Sequence, residues 1–183
     1  MRAFLHFEAS SLGRNGFPVE VAWVFENGAE EAHLIRPAPG WTDWDPHSVH
    51  AISADRLCID GAPVETVGRR LVDQLADHDV FASAPPWDCK WLSLLLRSAG
   101  LAHRALQLID ADAGLLKLAS SILAPSLPSS AIPRATRRIL ADASARFAGR
   151  PLSQRALPDA RIERERWLAV SELAHAFRAE ISL

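Results

Sequence analysis

Cysteine is scarce: only Cys58 and Cys89 occur. Two thiols are too few for a disulfide framework or a thiolate zinc site, and their scarcity suits a reducing compartment. Long apolar runs are missing as well. No stretch approaches the ~20 residues of a membrane-crossing helix, and no basic segment with a long apolar run opens the chain. Neither a signal peptide nor a span is expected, and the cytoplasm is the expected location. Net charge is also small, at −2. No global basic field announces a polyanionic ligand, which would need a local patch or bound cations instead.

What is present is enough apolar residue to build a core. Of 183 residues, 49% are hydrophobic and 23% charged, which fits one globular domain over 1–183. There are no repeats, linkers or low-complexity tails. Ala3 to Phe7 is short, apolar and aromatic and reads as a buried strand. Pro18 to Phe25 predicts a second strand, Glu26-Asn-Gly28 a hairpin turn, and Ala32 to Arg36 the returning strand. A loop from Pro37 to Pro46 carries Trp41 and Trp44. It is followed by Val49 to Ser53 and a short helical turn over Ala54–Leu57, which Ser53 can cap.

Val64, Val67, Leu71 and Leu75 recur at helical spacing, so the first long helix is expected over Pro63–Ala76. Asp79 to Ser83 reads as a strand broken by Pro85-Pro86, with a helix from Trp87 to Ala99 ended by Gly100. Ala105 to Ile109 is the last strand expected. Ala111 to Ala148 reads as helical with a loop over Pro125–Ser130, and Pro151 marks another break. A long helix follows from about Pro158 to Glu180. The order implies an α/β domain with a mixed sheet, an antiparallel hairpin beside strands joined through helices.

Two polar residues, His6 and Glu8, interrupt the first strand one position apart. Residues i and i+2 of a strand share a face, and a charge in a buried strand is costly unless paired. Ala9-Ser10-Ser11-Leu12-Gly13 then turns the chain with small residues. On this stretch alone, the better reading has Glu8 ending a strand at the surface and His6 as a core histidine with a partner. Asp88 opens a helix after a strand, and Asp159 heads the last helix. Such positions can converge at the strand ends of an open sheet, and converging carboxylates call for a divalent cation such as Mg²⁺ or Mn²⁺.

These landmarks resemble the DEDD 3′–5′ exonucleases, a family with a ribonuclease H-like fold. The family's first motif is Asp-x-Glu followed by a small turn; here it reads His6-Phe-Glu8-Ala9-Ser10-Ser11-Leu12. The family's His-Gly-Ile segment is matched by His50-Ala-Ile52. Its second motif ends at Asp88, after a strand and a short loop. Its His-x-Ala-x-x-Asp is matched by Gln154-Arg-Ala-Leu-Pro-Asp159. The resemblance implies a mixed, roughly five-stranded sheet flanked by helices. It also implies Glu8, Asp88 and Asp159 as metal ligands with His6 beside them, and Gln154 in the place of the general base. Ala9, Ser10, Ser11, Leu12, His50 and Ile52 would contact the substrate, the 3′ end of single-stranded RNA or DNA.

Two departures bear on the chemistry. His6 replaces a carboxylate that bridges two ions in the family, and a neutral imidazole lacks those bridging oxygens. Gln154 replaces the general base, and an amide cannot take a proton at neutral pH. The Tyr-type branch offers no substitute, because the chain has no tyrosine. The expectation is therefore an exonuclease-like protein of weak or altered activity. The alternative is a nucleic-acid-binding or scaffold protein that keeps the fold without turnover.

His6, Glu8 and Asp159 could instead hold one transition metal. Trp41, Trp44, Trp87 and Trp91 could stack bases or simply pack. Cys89 beside Asp88 is read as a helix-packing residue, and Arg134, Arg137 and Arg138 as a solvated face.

Overall fold

The computed structural model describes residues 1–45, 50–150 and 153–181. The sequence readings at Pro46, Val49 and Pro151 lie outside these residues. Strand β1 (Arg2–Ala9) is the axis of the molecule. It pairs antiparallel with β2 (Pro18–Phe25), which pairs antiparallel with β3 (Glu30–Leu34). On its other side β1 runs parallel to β4 (Asp79–Ala82), which runs parallel to β5 (Leu108–Asp110). The order β3-β2-β1-β4-β5 is the expected mixed sheet.

The period-two alternation of β1 decides what each face holds. Ala3, Leu5 and Phe7 point to one core, with Trp23 of β2 and the apolar stripes of two helices. Those helices are α2 (Val64–Leu75) and α3 (Pro85–Ser98). Val67, Leu71 and Leu75 of α2 are fully buried there, each contributing about 1.5–3 kcal/mol relative to exposure. Phe4 faces the other core, stacked on Phe81 at 5.9 Å and tilted against Trp167 at 5.7 Å. That side is closed by α4 (Ala111–Leu123), α5 (Ile132–Ala145) and α6 (Ala156–Ile181). A short helix, α1 (Ala54–Asp60), starts at Ser53, whose hydroxyl accepts the Arg56 N–H. Leu57 of α1 packs with Phe17, Val19 and Ile52 in a third, smaller cluster.

Several boundaries differ from the sequence reading. The strand ends before Pro85-Pro86 as expected, but α3 begins at Pro85 rather than Trp87, since a first-turn proline has no hydrogen bond to lose. β3 starts two residues earlier than expected because the turn closes tightly, Phe25 N donating to Ala29 O at 2.7 Å. β5 is limited to three residues, paired to Val80–Ala82 of β4. α6 begins at Ala156 rather than Pro158, for a reason that lies at the site below.

The parallel pairing also opens a crevice. β4 matches only Arg2 to Phe4 of β1, so the half of β1 carrying His6 and Glu8 runs on past the end of β4. The chain leaving β4 turns through Ser83 and Ala84 into α3, and a cleft remains at the strand ends, where open α/β sheets commonly place their sites.

Candidate functional site

The cleft has a volume of about 350 Å³ and is walled by His6, Glu8, Leu12, His50, Trp87 and Asp88, among others. His6 and Glu8 share a face of β1, as their spacing predicts. Asp159, in the first turn of α6, completes a set whose ligand atoms lie within 4.8 Å of one another. His6 Nε2 stands 3.8 Å from Glu8 Oε1 and 3.8 Å from Asp159 Oδ2. Ser153 Oγ donates to Asp159 Oδ1 at 2.8 Å and fixes that carboxylate.

Asp88 is placed differently. It is 2% exposed and lines the same cleft, yet it stands outside the compact set, and its Oδ2 accepts the Ala84 N–H at 3.1 Å. Burial raises its pKa, while His6 and the Ala84 N–H act in the opposite direction.

Glu8 carries the strongest electrostatic signature. Burial first, then the neighbouring carboxylates Asp159, Glu20 and Asp88, push its pKa up to about 7, with Arg155 pulling back. A carboxyl crowded by others of its kind and short of water is stabilised by any cation placed among them. The donor set on offer is one imidazole nitrogen and two carboxylates. That set fits a single divalent transition ion better than an all-oxygen cage for two Mg²⁺ ions.

Glu20 is the residue that sequence reasoning missed. It is directly opposite Glu8 across the β1–β2 ladder and is 3% exposed. Arg155 grips it with two hydrogen bonds, Nε to Oε2 at 2.9 Å and Nη2 to Oε1 at 2.6 Å. The Ala156 N–H donates to Oε2 at 2.9 Å as well. Glu20 thus caps the orphan amides at the start of α6, which is why the helix begins at Ala156 and brings Asp159 to the cleft. The signal was a lone charge inside the apolar run Pro18–Phe25.

The remaining sequence candidates divide. Ala9, Ser11, Leu12 and His50 line the cleft, and Leu12 is 70% exposed. Ser10 does not reach it: the residue is fully buried and its hydroxyl accepts the Phe17 N–H at 3.0 Å. Ile52 is a core residue, and its N–H donates to His50 Nδ1 at 3.1 Å. Burial lowers the pKa of His50. Gln154 is exposed, with left-handed backbone at φ 56°, and is not among the described residues that wall the cleft.

Of the tryptophans, Trp41 and Trp44 pack on Phe17 and Trp91 is buried, whereas Trp87 is 40% exposed at the cleft mouth. Cys89 is exposed rather than packed, with its thiol pKa raised by partial desolvation and by Asp88. Arg134, Arg137 and Arg138 are exposed on α5, as expected.

No family model and no curated protein matches the chain, but solved structures do. One is a 3′-exonuclease in 3′-end-specific recognition of the histone mRNA stem-loop, with a TM-score of 0.61 and 15% identity over 95% of this chain and 64% of that one. A full-length 3′-exonuclease matches with a TM-score of 0.59 and 16% identity over 93% of this chain and 81% of that one. The zinc-bound complex of E. coli exonuclease I with single-stranded DNA matches with a TM-score of 0.60 and 13% identity over 98% of this chain. This chain spans 40% of that longer protein. At such identities the fold alone is shared: a five-stranded mixed sheet with flanking helices, in the ribonuclease H-like form of the 3′-exonucleases.

Proposed function

We propose that this chain binds the 3′ end of single-stranded RNA or DNA in the cleft at the end of β1, with weak or altered metal-dependent phosphodiester hydrolysis. The observation that carries the reading is the convergence of His6, Glu8 and Asp159 within 4.8 Å, beside Asp88, in a fold shared with 3′-exonucleases. His6, Glu8 and Asp159 would hold the cation, with Mn²⁺ or another nitrogen-tolerant ion preferred and Mg²⁺ bound weakly. Such an ion polarises a phosphoryl oxygen and makes water a better nucleophile at neutral pH.

The chain's own residues define the rest. Trp87 offers an exposed ring on which a terminal base can stack. Asp88, buried and hydrogen-bonded to Ala84, would add a carboxylate to the cleft wall beside a bound cation. Gln154 can orient a water molecule without accepting its proton. One observation favours the second reading, a nucleic-acid-binding or scaffold protein without turnover: Gln154 is exposed and carries an amide that cannot take a proton at neutral pH, so no base stands in the place of the family's.

A labelled single-stranded oligonucleotide in Mn²⁺ or Mg²⁺ separates the readings. The unaltered chain should release 3′ nucleotides slowly or not at all. His6→Asp with Gln154→His should raise the rate by roughly 10²–10⁴, the scale of a lost general base. Brisk cleavage by the unaltered chain, abolished by Glu8→Ala, would refute the weak-activity reading. Binding without cleavage by the folded double variant would leave the binding protein as the correct reading. Absence of any binding would remove both.

A further inference from the structure

Beside the cleft lies a second cavity, of about 380 Å³, that the site described above does not use. Its walls are polar and come from three places: the β1–β2 loop, the loop after β3, and α3. Arg14, Lys90 and Arg97 line it against a single carboxylate, Asp43. In a chain of net charge −2 this is a local cationic pocket.

Many arginines of the protein are ion-paired, among them Arg2 with Glu26, Arg70 with Glu31, Arg155 with Glu20 and Arg161 with Glu30. Arg14 and Arg97 have no carboxylate partner among the described residues; Arg97 Nε donates only to the Ser93 carbonyl of its own helix. Asp43, the pocket's one acid, accepts from Ser11 Oγ at 2.8 Å.

The loop that carries Arg14 is held in place. Ser10 N donates to Phe17 O at 2.8 Å and Phe17 N donates to Ser10 Oγ at 3.0 Å, so the loop is pinned at its base. Gly16 lies against Ser11, where a Cβ would meet the Ser11 carbonyl oxygen at 2.2 Å; only glycine lets the loop close this tightly. Lys90 Nζ donates to Gly13 O at 2.7 Å and sits 4.0 Å over the Trp91 ring, tying the loop to α3.

The pocket adjoins the cleft through contacts between their linings. Ser11 lines the cleft and bonds Asp43 of the pocket, and Lys90 lies between Trp87 of the cleft and Gly13. Trp41 adds an aromatic edge to the pocket. Unpaired guanidinium groups with an aromatic ring, next to a site for a strand's end, form a groove of the kind that tracks a single-stranded backbone.

We propose that this pocket binds phosphodiester groups of the same strand whose 3′ end occupies the cleft, with Arg14 and Arg97 as the phosphate contacts. The inference rests on the nucleic-acid reading above and extends the substrate beyond the terminal nucleotide.

The test is the salt dependence of binding, which needs no turnover. Fluorescence anisotropy with a labelled oligothymidylate about a dozen nucleotides long is measured for the unaltered chain and for Arg14→Ala/Arg97→Ala. Both residues are exposed, so folding should be retained, as circular dichroism melting would verify. Each lost single-strand phosphate contact lowers the slope of log K against log salt by about 0.7, so the double variant should lose about 1.4. Affinity should fall about two- to five-fold per arginine. Arg14→Lys/Arg97→Lys should keep most of the slope. Arg134→Ala/Arg137→Ala, on the exposed face of α5, removes the same charge elsewhere and should leave the slope unchanged. An unchanged slope in the Arg14/Arg97 variant, or an equal loss in the α5 variant, would overturn the pocket while leaving the cleft reading intact. No binding by the unaltered chain would overturn both.

Discussion

Arg155→Ala should destabilise the protein far more than removal of a surface ion pair does. The side chain of Glu20 is 4% exposed and that of Arg155 39% exposed, so the two halves of this pair are unequal. Deleting Arg155 removes two of the three hydrogen bonds to the Glu20 carboxylate and leaves only Ala156 N–H. The stranded charge then lies directly across the ladder from Glu8, another acid. Breaking a buried pair in this way costs about 3–5 kcal/mol, and solvent reaching the vacated arginine site brings the expectation to about 3 kcal/mol. Deleting Glu20 instead leaves a guanidinium that can turn to water. Glu20→Ala should therefore cost only about 1–2 kcal/mol, chiefly the lost helix cap.

The double variant should consequently be more stable than Arg155→Ala alone. Urea unfolding followed by tryptophan fluorescence would read these differences as shifts of midpoint at constant m. Each variant should also bind Mn²⁺ more weakly than the parent, because Asp159 stands one turn into the helix that Glu20 anchors. An Arg155→Ala cost below about 1 kcal/mol, or a double variant less stable than that single one, would refute the reasoning.

Two further outcomes follow from the structure. The folded chain holds the Glu8 proton more tightly than the unfolded chain, with a pKa of about 7 against 4.5. In chelator, stability contributed by neutral Glu8 should therefore be complete below about pH 4.5 and lost as pH rises through 7, by on the order of 3 kcal/mol. Glu8→Gln should flatten that slope, and a slope unaffected by Glu8→Gln would contradict it. Gly114→Ala would place a Cβ 2.5 Å from Phe81 Cε1 and 3.2 Å from Trp167 in the α4–α6 core. Overpacking there should cost about 1–3 kcal/mol in thermal or urea unfolding, and a neutral result would mean that the ring shifts freely.

The parts of the fold that were legible in the sequence are those whose cause is local. The apolar run Pro18–Phe25, broken only by Glu20, defined β2 to the residue. The spacing of His6 and Glu8 put both on one face because a strand has period two. The stripe Val64-Val67-Leu71-Leu75 located α2 for the same kind of reason. What was not legible depends on distant partners. The first turn of α6 is set by Glu20, more than a hundred residues upstream, so no local pattern near Ala156 announced it. Asp88 was recognised as a cleft residue, but its attachment to Ala84 N–H depends on how α3 starts. The start of α3 was placed two residues late because proline opposes a helix only where an N–H is missed, which is not so in its first turn.

The left-handed bend at Gln154 has a consequence for how changeable this corner of the protein is. Its neighbours are anchored independently, Ser153 to Asp159 and Arg155 to Glu20, so the bend is imposed from both sides and owes little to the residue at its tip. Histidine, asparagine and aspartate are enriched at positive φ relative to most side chains, so Gln154→His meets a backbone already bent to accept it. The tip can exchange one polar group for another without rebuilding its supports. A single codon's worth of change at this position can therefore exchange the polar group displayed at the tip while the scaffold that presents it stays as it is.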